Sequence, residues 1–212
     1  GILADTRFQL LSGTSVPRDF VEYPSQFNEM WAREPAILQQ FARHYRTGEA
    51  LPPGLLERII AAQNLDQGYL TSEYLLAALL DQAWHGLAPG QTPGAEEVDA
   101  FETAALARTG LTAAPIPPRY HSAYFLHVFA DEYPASYYAY LWSEVLARDT
   151  GQWFHSHGGI SRANGERLRS SVLSRGGTRD TRAQFLDFYG AEPDIAPLLE
   201  YRGLAGSSVK SV

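Results

Sequence analysis

The sequence predicts an all-α chain, mainly helical with at most one minor β-hairpin. Two observations carry that expectation. Apolar residues recur at helical spacing in one segment after another, and prolines and glycines stand where helices would start and stop. There is also no β-α alternation and no internal repeat, which argues against a parallel sheet or a solenoid.

Pro17 opens the first expected helix, with Phe20, Val21, Phe27 and Trp31 as its apolar residues and Pro24 near its first turn or at a kink. Pro35 starts a second, carrying Ile37, Leu38, Phe41 and Tyr45 on one face, and Gly48 is its stop. Pro52 and Pro53 open a third through Leu55, Leu56, Ile59 and Ile60; Gly68 separates it from a fourth, Thr71 to His85, which Gly86 ends. After a turn-rich loop at 86–95, Val98, Phe101, Ala105 and Leu106 are in phase on a fifth. Pro115, Pro117 and Pro118 forbid helix and favour extended chain. Tyr120 to Phe129 reads equally as strand or helix. Helical patterns resume from Pro134 to about Leu146, Ala163 to Ser174, Thr178 to Tyr189 and Pro193 to Tyr201, before a small polar tail, residues 205–212.

With 212 residues, 45% of them hydrophobic and 19% charged, the chain is long enough for a substantial core. Its formal net charge of −7 and its scattered Lys and Arg offer no basic surface of the kind nucleic acid requires. No run nears the roughly 18 apolar residues that span a bilayer, so neither a nucleic acid nor a membrane is an expected partner. With no cysteine there are no disulfides, thiolate metal sites or cysteine nucleophiles. The N-terminal GILADTRFQL has neither the basic start nor the apolar run of a secretory signal.

Three groups could carry chemistry. Glu22, Gln26 and Glu29 would share a helical face among Phe20, Val21, Phe27 and Trp31. A carboxylate there needs a partner, either a metal ion or an arginine, because burying a lone charge is costly; an exposed or salt-bridged Glu22 fits the pattern too. Tyr133, Tyr137 and Tyr140 are spaced to share a face near His127. Such a row can donate hydrogen bonds to an oxyanion, or can be an aromatic packing stripe. His155 and His157 form an HxH pair beside Gly158 and Gly159, two ligands at most and best read as loop residues. No HExxH, P-loop, GxSxG or GxGxxG motif occurs.

Several phrases, in order, resemble the thimet-oligopeptidase family of zinc peptidases, and most its bacterial peptidyl-dipeptidase (dipeptidyl carboxypeptidase) branch. LSGTSVPRDFVEYPSQFNEMW (11–31) is similar to the segment carrying the third zinc ligand, and QGYLTSEYLLAALLDQAWH (67–85) to the next helical signature. PPRYHSAYFLHVFADEYPASYYAYLWSEVLARD (117–149) resembles the substrate-facing histidine and tyrosine segment. GGISRANGERLRSSVLSRGGTRD (158–180) and EYRGL (200–204) resemble the closing helices. The resemblance implies that residues 1–204 are the C-terminal part of a catalytic domain, with 205–212 a flexible tail. It implies Glu22 as a zinc ligand, His127, Tyr133 and Tyr140 as stabilisers of the tetrahedral intermediate, and Tyr137 as a residue facing an oligopeptide substrate. A cytoplasmic location is implied in the same way.

Two departures from the family pattern matter. The HExxH segment would end just ahead of Gly1, so this chain alone lacks two zinc histidines and the general base. It is expected neither to hold zinc tightly nor to cleave peptides without an upstream HExxH-bearing segment. Secondly, the loop between His127 and Tyr133, glycine-rich in the family, reads Ala130-Asp131-Glu132 before Pro134, which should make it stiffer and more acidic. The alternative reading is a non-catalytic helical module for peptide binding or self-association. Surface normally covered by the upstream segment would favour homo-oligomers.

Overall fold

The computed structural model describes residues 1–111, 116–130 and 132–205. Pro115, Asp131 and the tail beyond Ala205, for which the sequence predicts extended chain, part of a stiff acidic loop and fraying, lie outside the described residues. Among the described residues the structure is helical and holds no β-sheet; one isolated antiparallel bridge joins Arg43 to Ala50. The helices are α1 (Arg18–Val21), α2 (Tyr23–Met30), α3 (Pro35–Phe41), α4 (Pro53–Ala61), α5 (Gln67–His85), α6 (Val98–Ala107), α7 (Leu126–Phe129), α8 (Ala139–Ser156), α9 (Arg162–Leu168), α10 (Thr181–Tyr189) and α11 (Ala196–Tyr201). A π-helical turn, Arg169–Leu173, continues α9.

Several boundaries depart from expectation for local reasons. The first helix breaks at Glu22 into α1 and α2, with Pro24 in the first turn of the second half. Gly68 does not separate helices but lies in the first turn of α5, which starts after Asp66 in a left-handed conformation. The second helix stops at Phe41, short of Tyr45, and the chain from there turns back through Gly48 at φ 73°. The ambiguous 120–129 segment is neither a strand nor one helix, but a 3₁₀ turn at Ser122–Tyr124 followed by α7. The helix expected from Pro134 starts only at Ala139, because Ala135 takes a left-handed φ of 56°, and it continues to Ser156.

The chain divides into two compact units, Gly1–Leu65 with the chain from Leu141 onward, and Asp66–Tyr140. The first has its core where α1 and α2 meet α8, α10 and the π turn. Phe20, Tyr23, Phe27, Leu146, Trp153, Phe154, Val172, Phe185 and Phe188 are all buried there. The rings pack edge-on or tilted, Phe20 on Tyr23 at 5.3 Å, Tyr23 on Phe185 at 5.9 Å and Trp153 on Phe188 at 4.8 Å. The hydroxyl of Tyr23 meets that of Thr150 at 2.6 Å, so the ring can be buried without an orphaned polar atom. Burial pushes this phenol well above its ordinary range. Gly176 lets two segments close on this core: its φ is 50°, and a Cβ there would stand 2.1 Å from the carbonyl oxygen of Leu11.

The second unit is built on α5, whose Leu76, Ala77, Ala78, Leu80 and Asp81 are buried. Trp84 packs on Phe101 of α6 with ring centroids 4.2 Å apart. Glu102 of α6 pins the loop ahead of α7. It accepts the Ser122 N–H at 2.7 Å, the Ser122 hydroxyl at 2.8 Å and a hydrogen bond from His121. Burial alone would raise its pKa, but these donors outweigh burial and hold the carboxyl below its usual range.

Asp149 in α8 is the costly group of the first core. It has no solvent exposure; Oδ2 accepts the Asp194 N–H at 2.9 Å, while Oδ1 has no hydrogen-bond partner among the described residues. Burial pushes its pKa up to about 6, with the Asp194 carboxylate adding and the Asp194 N–H subtracting. An unfolded Asp titrates near 4. Between about pH 4 and pH 6 the unfolded state therefore loses its proton while the folded state keeps it, and stability falls as pH rises through that window. Above pH 6 the loss is complete. Asp149→Asn is expected to stabilise the chain by about 1–2 kcal/mol at pH 7.5, with the gain shrinking toward pH 4. Thermal melts of both proteins across that range check the sign.

Candidate active site

The residues singled out in the 120–145 segment converge. His127 stands on α7, which the buried neighbours Phe125 and Val128 hold in place, and is itself half-buried. Its Nε2 lies 2.8 Å from the Tyr140 hydroxyl. The imidazole stacks on the Tyr133 ring at 4.7 Å and 13°, and Tyr133 stacks on Tyr140 at 5.1 Å and 17°. Tyr137 stands edge-on to His127 and at 67° to Tyr140, with centroids 5.7 and 5.5 Å away. Four side chains expected to act together thus form one cluster, although not along a helical face as their spacing suggested. Tyr133 and Tyr137 lie in the turn ahead of α8, and only Tyr140 is helical.

An outer ring of aromatics encloses the cluster. Tyr74 of α5 stacks on Tyr137 at 5.1 Å, and Phe125 and Tyr120 meet Tyr137 edge-on at 5.1 and 5.9 Å. Burial pushes the Tyr137 phenol up to about 12; nearby Arg119 and a hydrogen bond with Tyr74 pull the other way, while Tyr120 and Tyr140 add to the rise. Tyr137 therefore stays a neutral donor at any physiological pH.

The chemical capacity follows from proton count. A phenol donates one hydrogen bond and accepts others. With the imidazole proton on Nε2, His127 donates to the Tyr140 oxygen, and the Tyr140 O–H is left to donate onward. A donor so placed suits an oxygen that gains negative charge during acyl transfer.

Glu22 belongs to the other unit. It sits at the junction of α1 and α2, half-buried, and its Oε2 accepts the Ser25 hydroxyl at 3.0 Å. It therefore caps the helix that carries Gln26 and Glu29, and its carbonyl accepts the Gln26 N–H at 3.0 Å. One carboxylate does not make a zinc site, which takes three or four protein ligands. Among the described residues no three His, Asp or Glu side chains are grouped to hold a metal ion. Nor do His155 and His157 form a loop pair. His155 lies in the last turn of α8 and its Nε2 meets Glu34 Oε1 at 2.8 Å. His157 stacks on Trp153 at 4.0 Å, with Nδ1 2.8 Å from the Trp153 carbonyl oxygen.

Peptidase family M3 matches residues 1–204. The chain belongs to that family of metallopeptidases. Among its relatives, dipeptidyl carboxypeptidase of Escherichia coli is 46% identical over 204 residues, covering 96% of this chain and 30% of that protein. Oligopeptidase A of Escherichia coli is 38% identical over 200 residues, 92% of this chain and 28% of that protein. A thimet-like oligopeptidase of Dictyostelium discoideum is 32% identical over 203 residues, 93% of this chain and 29% of that protein. The chain thus spans about 30% of the length of these relatives. The family resemblance read from the quoted motifs is the one these matches give. No helix among the described residues is long and apolar enough to cross a membrane.

The residues that support the cluster leave a fainter mark in the sequence than its members do. Tyr74 and Asp81 lie seven residues apart on α5, facing the tyrosine segment. Asp81 was findable: a lone carboxylate within the Leu- and Ala-rich run LLAALLDQAW must find partners when that run is buried. Tyr74 carried no comparable signal.

Proposed function

We propose that this chain is the C-terminal, mainly helical part of a zinc peptidase that releases C-terminal dipeptides from oligopeptides. The observation that carries the reading is the stack of Tyr133, His127 and Tyr140, with the histidine 2.8 Å from the Tyr140 hydroxyl. In this role Tyr140 and Tyr133 donate hydrogen bonds to the oxyanion formed when a scissile carbonyl is attacked, and His127 holds the Tyr140 oxygen. Tyr137, expected from the resemblance to face the substrate, is buried behind Tyr74, Tyr120 and Phe125, so in this reading it backs His127 and Tyr140 from within. Glu22 serves as one zinc ligand, and two histidines and a general-base glutamate come from an HExxH segment outside this chain. Zinc, where bound, polarises the carbonyl and acidifies a water. The chain alone is catalytically incomplete in this reading, and its setting is cytoplasmic.

A chimera tests the assignment: residues 1–204 replace the matching stretch of the Escherichia coli dipeptidyl carboxypeptidase. The chimera is expected to release the C-terminal dipeptide from an N-blocked tripeptide, with loss of activity on chelation. Tyr140→Phe should lower kcat by about two to three orders of magnitude with little change in KM. A folded, zinc-loaded chimera without peptidase activity, or a Tyr140→Phe variant with full kcat, overturns the reading.

The same reading leaves apolar surface uncovered on the isolated chain. Leu55, Ile59 and Ile60 are all more than 40% exposed on α4, whose Leu56 is buried. Contiguous exposed apolar side chains drive association. The isolated chain should therefore form dimers or larger species at micromolar concentration by light scattering; a strict monomer would contradict this.

A further inference from the structure

Asp81 is a fully buried carboxylate near the C-terminal end of α5, beside Ala77, Ala78 and Leu80. Its oxygens are spent on a distant stretch of chain. Oδ1 accepts the Ala135 N–H at 2.9 Å and lies 2.7 Å from Nδ1 of His85, one turn further along α5. Oδ2 accepts the Tyr137 N–H at 2.9 Å. The next residue, Gln82, donates from Nε2 to the Ala135 carbonyl oxygen at 2.7 Å. Two consecutive side chains of α5 thus grip both backbone polar groups of Ala135 and the N–H of Tyr137.

The gripped residue is one that resists its own conformation. Ala135 has φ 56°, the left-handed region that a Cβ disfavours, and it is not glycine. The segment from 132 to 138 contains no glycine to take the reversal without cost. Something outside the turn must hold it, and the pair of hydrogen bonds to a buried charge is the strong kind. The reversal lies between Tyr133 and Tyr137, so a rotation at Ala135 would swing Tyr133 away from His127 and Tyr140.

We propose that Asp81, with Gln82, is a positioning residue: by imposing the left-handed reversal at Ala135 it sets the tyrosine hydroxyls in register with His127. This rests on the reading of Tyr133 and Tyr140 as oxyanion donors, with His127 holding the Tyr140 oxygen. Misplacement of such groups by about an ångström can cost a hundredfold in rate without removing any reacting group.

Hydrogen exchange on the isolated 212-residue chain tests the clamp independently of catalysis. Asp81→Asn should speed exchange of the Ala135 and Tyr137 amides by about tenfold or more, the weight of one hydrogen bond to a charged acceptor. Amides of α6 should be unchanged. Gln82→Ala, at an exposed position that tolerates substitution, should act in the same direction more weakly, and stands in if Asp81→Asn fails to fold. In the chimera described above, Asp81→Asn should lower kcat by about tenfold to a hundredfold with KM within about twofold. Adding Ala135→Gly, which removes the steric objection to the reversal, should recover about fivefold.

Unchanged exchange at both amides overturns the clamp, whatever the kinetics. Faster exchange with undiminished kcat, while Tyr140→Phe is crippled, overturns the positioning role but leaves the oxyanion reading intact. If Tyr140→Phe is also fully active, the reading itself fails and the inference with it.

Discussion

A tyrosine hydroxyl can be brought into a buried cluster only if the backbone bearing it is fixed, because the ring has two torsions and its polar tip must end beside a partner. Here that fixing falls on a few backbone groups between Pro134 and Tyr137. The turn has an unfavourable conformation at Ala135, yet it precedes a long helix that starts only when the chain has been redirected. The stacking of Tyr133, His127 and Tyr140 depends on that redirection. A continuous helix from Pro134 would instead have put Tyr137 and Tyr140, three residues apart, on one helical face.

The same logic separates what was legible in the sequence from what was not. Helix content was legible because apolar spacing and terminal prolines are local signals; Pro35, Pro53 and the Leu-rich run of α5 mark helices that the structure contains. Helix boundaries were less so. Gly68 looked like a break but sits in a first turn, where unpaired N–H groups make glycine tolerable. Pro134 looked like a helix start, and only the pull of a residue more than fifty positions earlier shows why the helix waits for Ala139. The membership of the cluster was readable from motif resemblance, but its geometry was not, since periodicity placed three tyrosines on a helix of which only Tyr140 is a part.

The two units treat buried charge differently. In the Asp66–Tyr140 unit, Glu102 and Asp81 each collect several donors, and both serve to hold a loop that carries aromatic residues. In the other unit Asp149 has one backbone donor and an unmatched oxygen, and burial drives it toward the protonated form. A carboxylate with two or three hydrogen bonds is a strut; one with a single bond is a weak point in an otherwise apolar, ring-packed core.

The division of the chain has a consequence for biosynthesis. The Asp66–Tyr140 unit is contiguous, so every partner in it has left the ribosome soon after Tyr140 has. The other unit is discontinuous: Phe20 and Tyr23 are made early, but Phe185, which packs against Tyr23, comes from the last quarter of the chain. Until then α1 and α2 have only the part of their native cover that Leu146 and Phe154 of α8 supply, and such long-range closure is slow. Nascent chains stalled before α10 would thus carry one finished half and one open half, and the open half, with its row of aromatic rings, is where chaperones would be drawn.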